Sequence, residues 1–185
     1  MIVLERVCKS FDGHMVLRDI DWQIAPGERW LIRGASGIGK TTLLRLLMGL
    51  ERPDRGTLSG TDGLRFAPVF QEDRLVEHWS AQANVALVCP DAAQVQAILH
   101  RLLPAQALDQ PVRTLSGGMR RRVALARALA AESDVLVLDE AFAGLDRGTA
   151  LRTAQVLEDF RDGRTVIAVS HSREDVSIGY RTLTL

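Results

Sequence analysis

Apolar and polar side chains alternate along the first part of the chain. "MIVLERV" (1–7) and "VLRDIDWQI" (16–24) both show the period of half-buried strands. "APGE" (25–28) reads as a turn, and "RWLIRG" (29–34) as a short apolar strand running into a glycine-rich loop. The spacing then becomes helical over "KTTLLRLLMGL" (40–50), with Gly49 ending the helix and "RPDRG" forming the next turn. "LRFAPVF" (64–70) predicts a further strand. From about 78 to 113 the pattern is helical, in "SAQANVALV" and "DAAQVQAILHRLL", separated by Pro90 and closed by Pro104. Ser80 and Asp91 stand where N-caps belong. The last third alternates again: a helix over 117–131, the strand "DVLVLDE" (134–140) and a helix over 148–161. The strand "RTVIAVS" (164–170), a short helix and the strand "YRTLTL" follow. Such alternation predicts an α/β fold, a mainly parallel sheet flanked by helices, with the helical middle as an inserted subdomain.

Length and charge narrow the picture. At 185 residues the chain is expected to form one domain with a substantial core. Lys plus Arg and Asp plus Glu both number 23, a balance that argues against a general nucleic-acid binder. The longest apolar stretches, such as "ANVALVC" (83–89), are too short to cross a bilayer. The start "MIVLERVCKSF" has no signal-peptide layout, so a cytosolic protein is expected. Cys8 and Cys89 lack partners at metal-ligand spacing and are read as buried, inert thiols.

Chemistry concentrates at strand ends. Gly34, Gly39, Lys40 and Thr41 satisfy G-x-x-x-x-G-K-[ST] between a predicted strand and a predicted helix, the context this phosphate-binding motif needs. Glycines at 34, 37 and 39 let backbone N–H groups curl around phosphate oxygens. Lys40 supplies a positive charge for the β and γ phosphates, and the Thr41 hydroxyl can ligate Mg²⁺. "VLVLDE" places Asp139 to hold Mg²⁺ through water and Glu140 to orient or deprotonate an attacking water. His171 follows the next apolar strand and can donate to a γ phosphate. Gln71 ends the strand "PVFQ", where its amide can reach metal or water. His14, His78 and His100 are read as structural. A second helix start, Ser116-Gly117-Gly118 in "LSGGMRRRVALARALA", is also built to meet phosphate with backbone amides.

In this order the motifs resemble the ATPase subunit of ATP-binding-cassette (ABC) transporters, over essentially the whole chain. "GASGIGKT" resembles the Walker A loop, so Ala35, Ser36, Ile38 and Thr42 join Gly34, Gly37, Gly39, Lys40 and Thr41 as expected ATP contacts. Gln71 matches the Q-loop, "LSGGM" the signature, "VLVLDE" Walker B, "GLD" with Asp146 the D-loop, and His171 the switch histidine. Phe11 matches the aromatic that stacks on adenine. Met119 stands where Gln is common and Ala141 where Pro is common; neither change removes a chemical group from the site.

The resemblance implies ATP and Mg²⁺ as cofactors and a head-to-tail pair of chains. In such a pair Ser116, Gly117 and Gly118 cover an ATP held by the other copy. It implies a single ATPase domain over 1–185, a P-loop NTPase core with an antiparallel β subdomain and the helical subdomain at about 72–131, and no C-terminal regulatory domain. It further implies an integral membrane permease subunit as partner, a solute-binding protein where the system imports, and a place on the inner face of the cell membrane. The wording "FQEDRL…NVAL" resembles ATPases of nitrate, sulfonate and taurine importers, with Leu75, Val76 and Trp79 lining the groove that grips the permease. An exporter ATPase and a soluble non-transport ABC ATPase are the alternatives. A small-molecule kinase gives no account of "LSGGM".

Overall fold

The computed structural model describes residues 1–170 and 179–185. The half-buried N-terminal pattern builds a three-stranded antiparallel sheet. Its order is β2 (His14–Ile24), β1 (Ile2–Phe11), β4 (Arg55–Ser59). Asp12 and Gly13, at φ 49° and 80°, join β1 to β2 in the twist-matched form of a tight hairpin. Pairing therefore runs on to Phe11 and His14, beyond the strand ends that alternation marks. β4 begins inside the stretch read as a turn. Its "RGTLS" is mostly exposed at a sheet edge, so no apolar alternation announces it.

The second sheet has the order β5 (Phe66–Val69), β6 (Val135–Asp139), β7 (Thr165–Val169), β3 (Arg29–Arg33), β8 (Arg181–Thr184). Every neighbouring pair is parallel. Successive residues of its central strands face opposite ways. Leu31, Leu136, Leu138, Val166 and Ala168 pack toward helices α2 (Ala81–Ala86), α3 (Ala92–Leu102), α4 (Gly117–Ala130) and α5 (Arg147–Phe160). Trp30, Ile32, Val135, Val137, Ile167 and Val169 pack toward α1 (Lys40–Leu47) and the inner side of the antiparallel sheet. Ile98, Leu99, Leu125 and Leu129 share a continuous core with the sheet, each side chain contributing about 1.5–3 kcal/mol. The helical middle is thus fused to the sheet rather than separately cored.

Local signals behave as the sequence suggests at several ends. Ser80 Oγ accepts from the Ala83 N–H at 3.1 Å, and Asp91 accepts from Ala93 and Gln94. α1 stops at Leu47, earlier than its apolar spacing. Gly49, at φ 68°, donates to the Leu46 carbonyl and Leu50 to that of Arg45, a Schellman ending. Cys8 and Cys89 are both buried and free. The short helix expected after residue 170 lies outside the described residues.

Candidate functional site

Ligands of open parallel sheets collect at the carboxyl ends of the strands. At that edge β3 delivers loop 34–39, β5 delivers Gln71, β6 delivers Asp139 and Glu140, and β7 ends at Val169. His171 lies outside the described residues. A cavity of about 1100 Å³ is at the opposite end of the sheet, beside Gly27, Val135 and Thr165, and none of these groups lines it.

Loop 34–39 turns tightly, with the Ile38 N–H donating to the Ala35 carbonyl at 3.3 Å. A Cβ on Gly39 (φ 111°) would come within 2.8 Å of Leu17 and 2.9 Å of Val16, so glycine is required there. Ala35, Ser36, Gly37 and Ile38 are exposed, and Thr42 is half-buried. Among the described residues, α1 is the α-helix whose first turn has no capping side chain; Ser80, Asp91, Ser116 and Asp146 cap the other four. Its leading amides and the positive end of its dipole are left for an anion to satisfy. Phe11 is exposed at the tip of β1, with Lys9 Nζ 5.1 Å from its ring.

Beneath the loop lie charged groups that burial makes costly. Lys40 is 5% exposed, and its Nζ donates to the Gly34 and Ala35 carbonyls at 2.9 and 2.7 Å. Burial lowers the pKa of its ammonium, while the Glu140 and Asp139 carboxylates pull the other way. Thr41 Oγ1 donates to Asp139 Oδ2 at 2.9 Å across 98 residues of sequence. This hydroxyl and carboxylate, with Gln71, border one cavity of about 230 Å³. Oxygen donors of this kind suit Mg²⁺. Among the described residues no three His, Cys, Asp or Glu side chains gather into a metal cage. An incomplete protein shell fits an ion that draws its remaining ligands from phosphate and water. Glu140 has φ 56°, its N–H donating to the Val169 carbonyl at 3.1 Å and its carbonyl accepting from Ala143 at 3.0 Å. A non-glycine residue held in the left-handed region marks a position that the surrounding structure over-determines.

The second helix start stands apart. Ser116 Oγ accepts from the Met119 N–H at 3.2 Å, and Ser116, Gly117 and Gly118 border a groove of about 930 Å³ with Gln71, Gly144 and Asp146. No residue of 34–42 lines that groove. Asp146 caps α5, and hydrogen bonds from Thr149 hold its carboxyl below the usual range. The structure thus gathers Lys40, Thr41, Asp139 and Glu140 at one edge, sets the Ser-Gly-Gly turn at a second opening, and leaves Gln71 bordering both. Trp79 and Val76 are exposed at 46% and 38%, while Leu75 packs against the core. Sequence reading passed over Arg121 and Arg127 on α4, which bond the main chain at 70–74; the run of three arginines after "SGGM" is the local signal that could have drawn notice.

The chain is similar to known proteins in both sequence and fold. The family model described as "ABC transporter" matches residues 17–143. The chain is 37% identical to the Fe(3+) ions import ATP-binding protein FbpC 2 of Rhodococcus jostii, covering 93% of this chain and 55% of that protein. It is 44% identical to the aliphatic sulfonates import ATP-binding protein SsuB 1 of Pseudomonas fluorescens (82% and 59% covered). To the taurine import ATP-binding protein TauB of Pseudomonas aeruginosa it is 37% identical (94% and 74% covered). It spans about half the length of the first of these relatives. Its fold superposes with a TM-score of 0.88 on the dimeric post-hydrolysis state of the ATP-binding cassette MJ0796 bound to ADP and Pi. That similarity is at 27% identity, with 100% of this chain and 94% of that one covered.

Proposed function

This chain belongs to the ABC transporter family, and from that membership we propose that it binds and hydrolyses ATP as the energy-supplying subunit of an import system. The observation that carries the reading is the uncapped N-terminus of α1, with buried Lys40 and the Thr41–Asp139 pair directly beneath it. Loop amides from Gly34 to Thr42 receive phosphate oxygens, and the Lys40 ammonium exchanges its two carbonyl partners for the β and γ phosphates. Thr41, Asp139 and Gln71 are the residues that would hold Mg²⁺, which supplies charge neutralisation to the phosphates when bound. Glu140 orients the attacking water and accepts its proton, His171 donates to the γ phosphate, and Phe11 stacks on adenine.

A complete site takes two copies in this reading. The Ser116–Gly118 groove excludes the chain's own loop 34–42, and MJ0796 is a dimer in its solved form. A second copy's loop then presents its γ phosphate to Ser116. The exposed face around Val76 and Trp79 is assigned to a membrane permease. With a permease as its partner, the chain is placed peripherally on the cytoplasmic face; among the described residues no helix is long and apolar enough to cross a membrane. A solute-binding protein completes the importer, with sulfonate, taurine or a similar small anion as the solute class nearest the wording of residues 69–87.

Phosphate release and fluorescent-nucleotide binding test the assignment. Glu140→Gln, which keeps volume and backbone, is expected to bind ATP as the parent does and to lose about a hundredfold or more in turnover. Wild-type turnover in that variant would remove Glu140 from the chemistry.

A further inference from the structure

Between the end of β5 and the turn before α2, the chain that carries Gln71 leaves the sheet. Among the described residues no main-chain to main-chain hydrogen bond holds 71–75. The contacts that do hold this stretch come from α4. Arg121 places one guanidinium nitrogen on the Phe70 carbonyl and another on the Gln71 carbonyl, both at 2.6 Å. Six residues further along, Arg127 reaches the carbonyls of Arg74 at 2.8 Å and Asp73 at 3.3 Å. The Asp73 carboxylate lies 3.4 Å from Arg121 and 3.7 Å from Arg120. Arg74 returns the contact by stacking 3.8 Å over the Phe70 ring.

The planar guanidinium is suited to this work, since its fixed fork meets two carbonyls at once without being deprotonated. Each is a hydrogen bond from a charged donor to a main-chain acceptor, stronger than a neutral one. Because Ser116 caps the same helix, Gln71 is fastened to the element that carries the Ser-Gly-Gly turn as well as to β5, which ends two residues earlier and pairs with β6.

We propose that Arg121, with Arg127 behind it, is a positioning residue that fixes the Gln71 backbone to α4 and so holds Gln71 at the cavity it shares with Thr41 and Asp139. The proposal rests on the ATPase reading above for its catalytic consequence alone. In a two-copy assembly the fork links the amide facing a chain's own nucleotide to the serine facing the other copy's. Arg121 touches neither phosphate nor metal in this scheme.

The fork is tested without nucleotide by limited trypsin digestion read by mass spectrometry. Trypsin cuts at the Arg74 carbonyl, one of the bonded groups, and none of the three variants below adds a cleavage site. Arg121→Gln and Arg127→Gln are each expected to raise the cleavage rate after Arg74 by about tenfold, as the loop's open population grows. Cleavage within α3, at Arg101, serves as the control and should not change. In the hydrolysis assay Arg121→Gln should lower kcat by about ten- to a hundredfold with KM for ATP unchanged, the mark of misplacement rather than lost binding. Arg121→Lys, which can hold one carbonyl, should recover part of the rate. An unchanged cleavage rate after Arg74 overturns the fork, as does a rise at Arg74 and Arg101 alike, which would signal general loosening. A rise at Arg74 with full kcat overturns the positioning role. Should wild-type protein fail to hydrolyse ATP at all, the ATPase reading falls, and with it the positioning role; the digestion still decides whether the fork exists.

Discussion

Glu28 shows at the residue scale how far a single carboxylate depends on its neighbours. It accepts from Trp30 Nε1 at 2.8 Å and from the Ala25 N–H at 3.0 Å, and it pairs with Arg181. The Trp30 bond, then the Ala25 bond, hold its pKa below the ordinary 4.5. A depressed carboxylate adds stability above the unfolded value and loses it as pH falls through the folded one. Glu28→Gln should therefore unfold at lower urea than the parent at pH 7, with the difference shrinking below pH 4.5. Equal differences at pH 7 and pH 3 would contradict this. The residues most legible in the sequence were Lys40, Thr41, Asp139 and Glu140, because each sits at a fixed offset from a strand or helix end. Arg121 and Arg127 were not. Their partners are 50 to 54 residues away, and a contact that the fold creates leaves no spacing to read.

Elements carry the next level of meaning, and α4 carries most of it. Its first residue, Gly117, has no heavy atom within 4 Å of where a Cβ would stand, whereas a Cβ on Gly118 would meet Leu145 at 3.0 Å. Among the described residues nothing requires glycine at 117. Gly117→Ala should leave the isolated chain as stable or more stable, by up to about 1 kcal/mol. If a second copy's phosphate approaches that turn, the added methyl should still slow hydrolysis, while ATP binding to the chain's own loop is spared. Thermal unfolding, nucleotide titration and phosphate release measure the three effects; full activity would mean that nothing packs against Gly117. The strands and helices around this element were readable where burial imposes a period, as in β6 and β7, and where caps announce ends, as at Ser80 and Asp91. β4 escaped notice because both its faces are largely exposed. The Asp12-Gly13 hairpin was lost because its turn residues interrupt the alternation that marks the strands on either side.

At the scale of the whole molecule, a sheet buried on both faces holds one half of a phosphate site at the ends of its strands. The other half stands on a helix that opens elsewhere. The central claim is that these halves serve different nucleotides, so that a working site needs two copies. Complementation between two crippled chains tests it most directly. Lys40→Ala removes the charge under loop 34–42, and Ser116→Arg fills the groove that would cover the other copy's γ phosphate. Each variant alone should hydrolyse ATP slowly, since positioning and charge stabilisation dominate phosphoryl transfer. Ser116→Arg should nevertheless bind ATP as tightly as the parent. Mixed in equal amounts, chains that pair at random make half their dimers mixed, each with one site bearing both defects and one site bearing neither. With sites that fire independently, the mixture should recover about a quarter of the wild-type rate. The opposite result is a mixture no faster than its parents, with Ser116→Arg as weak in ATP binding as Lys40→Ala. Both halves would then belong to one chain's own site.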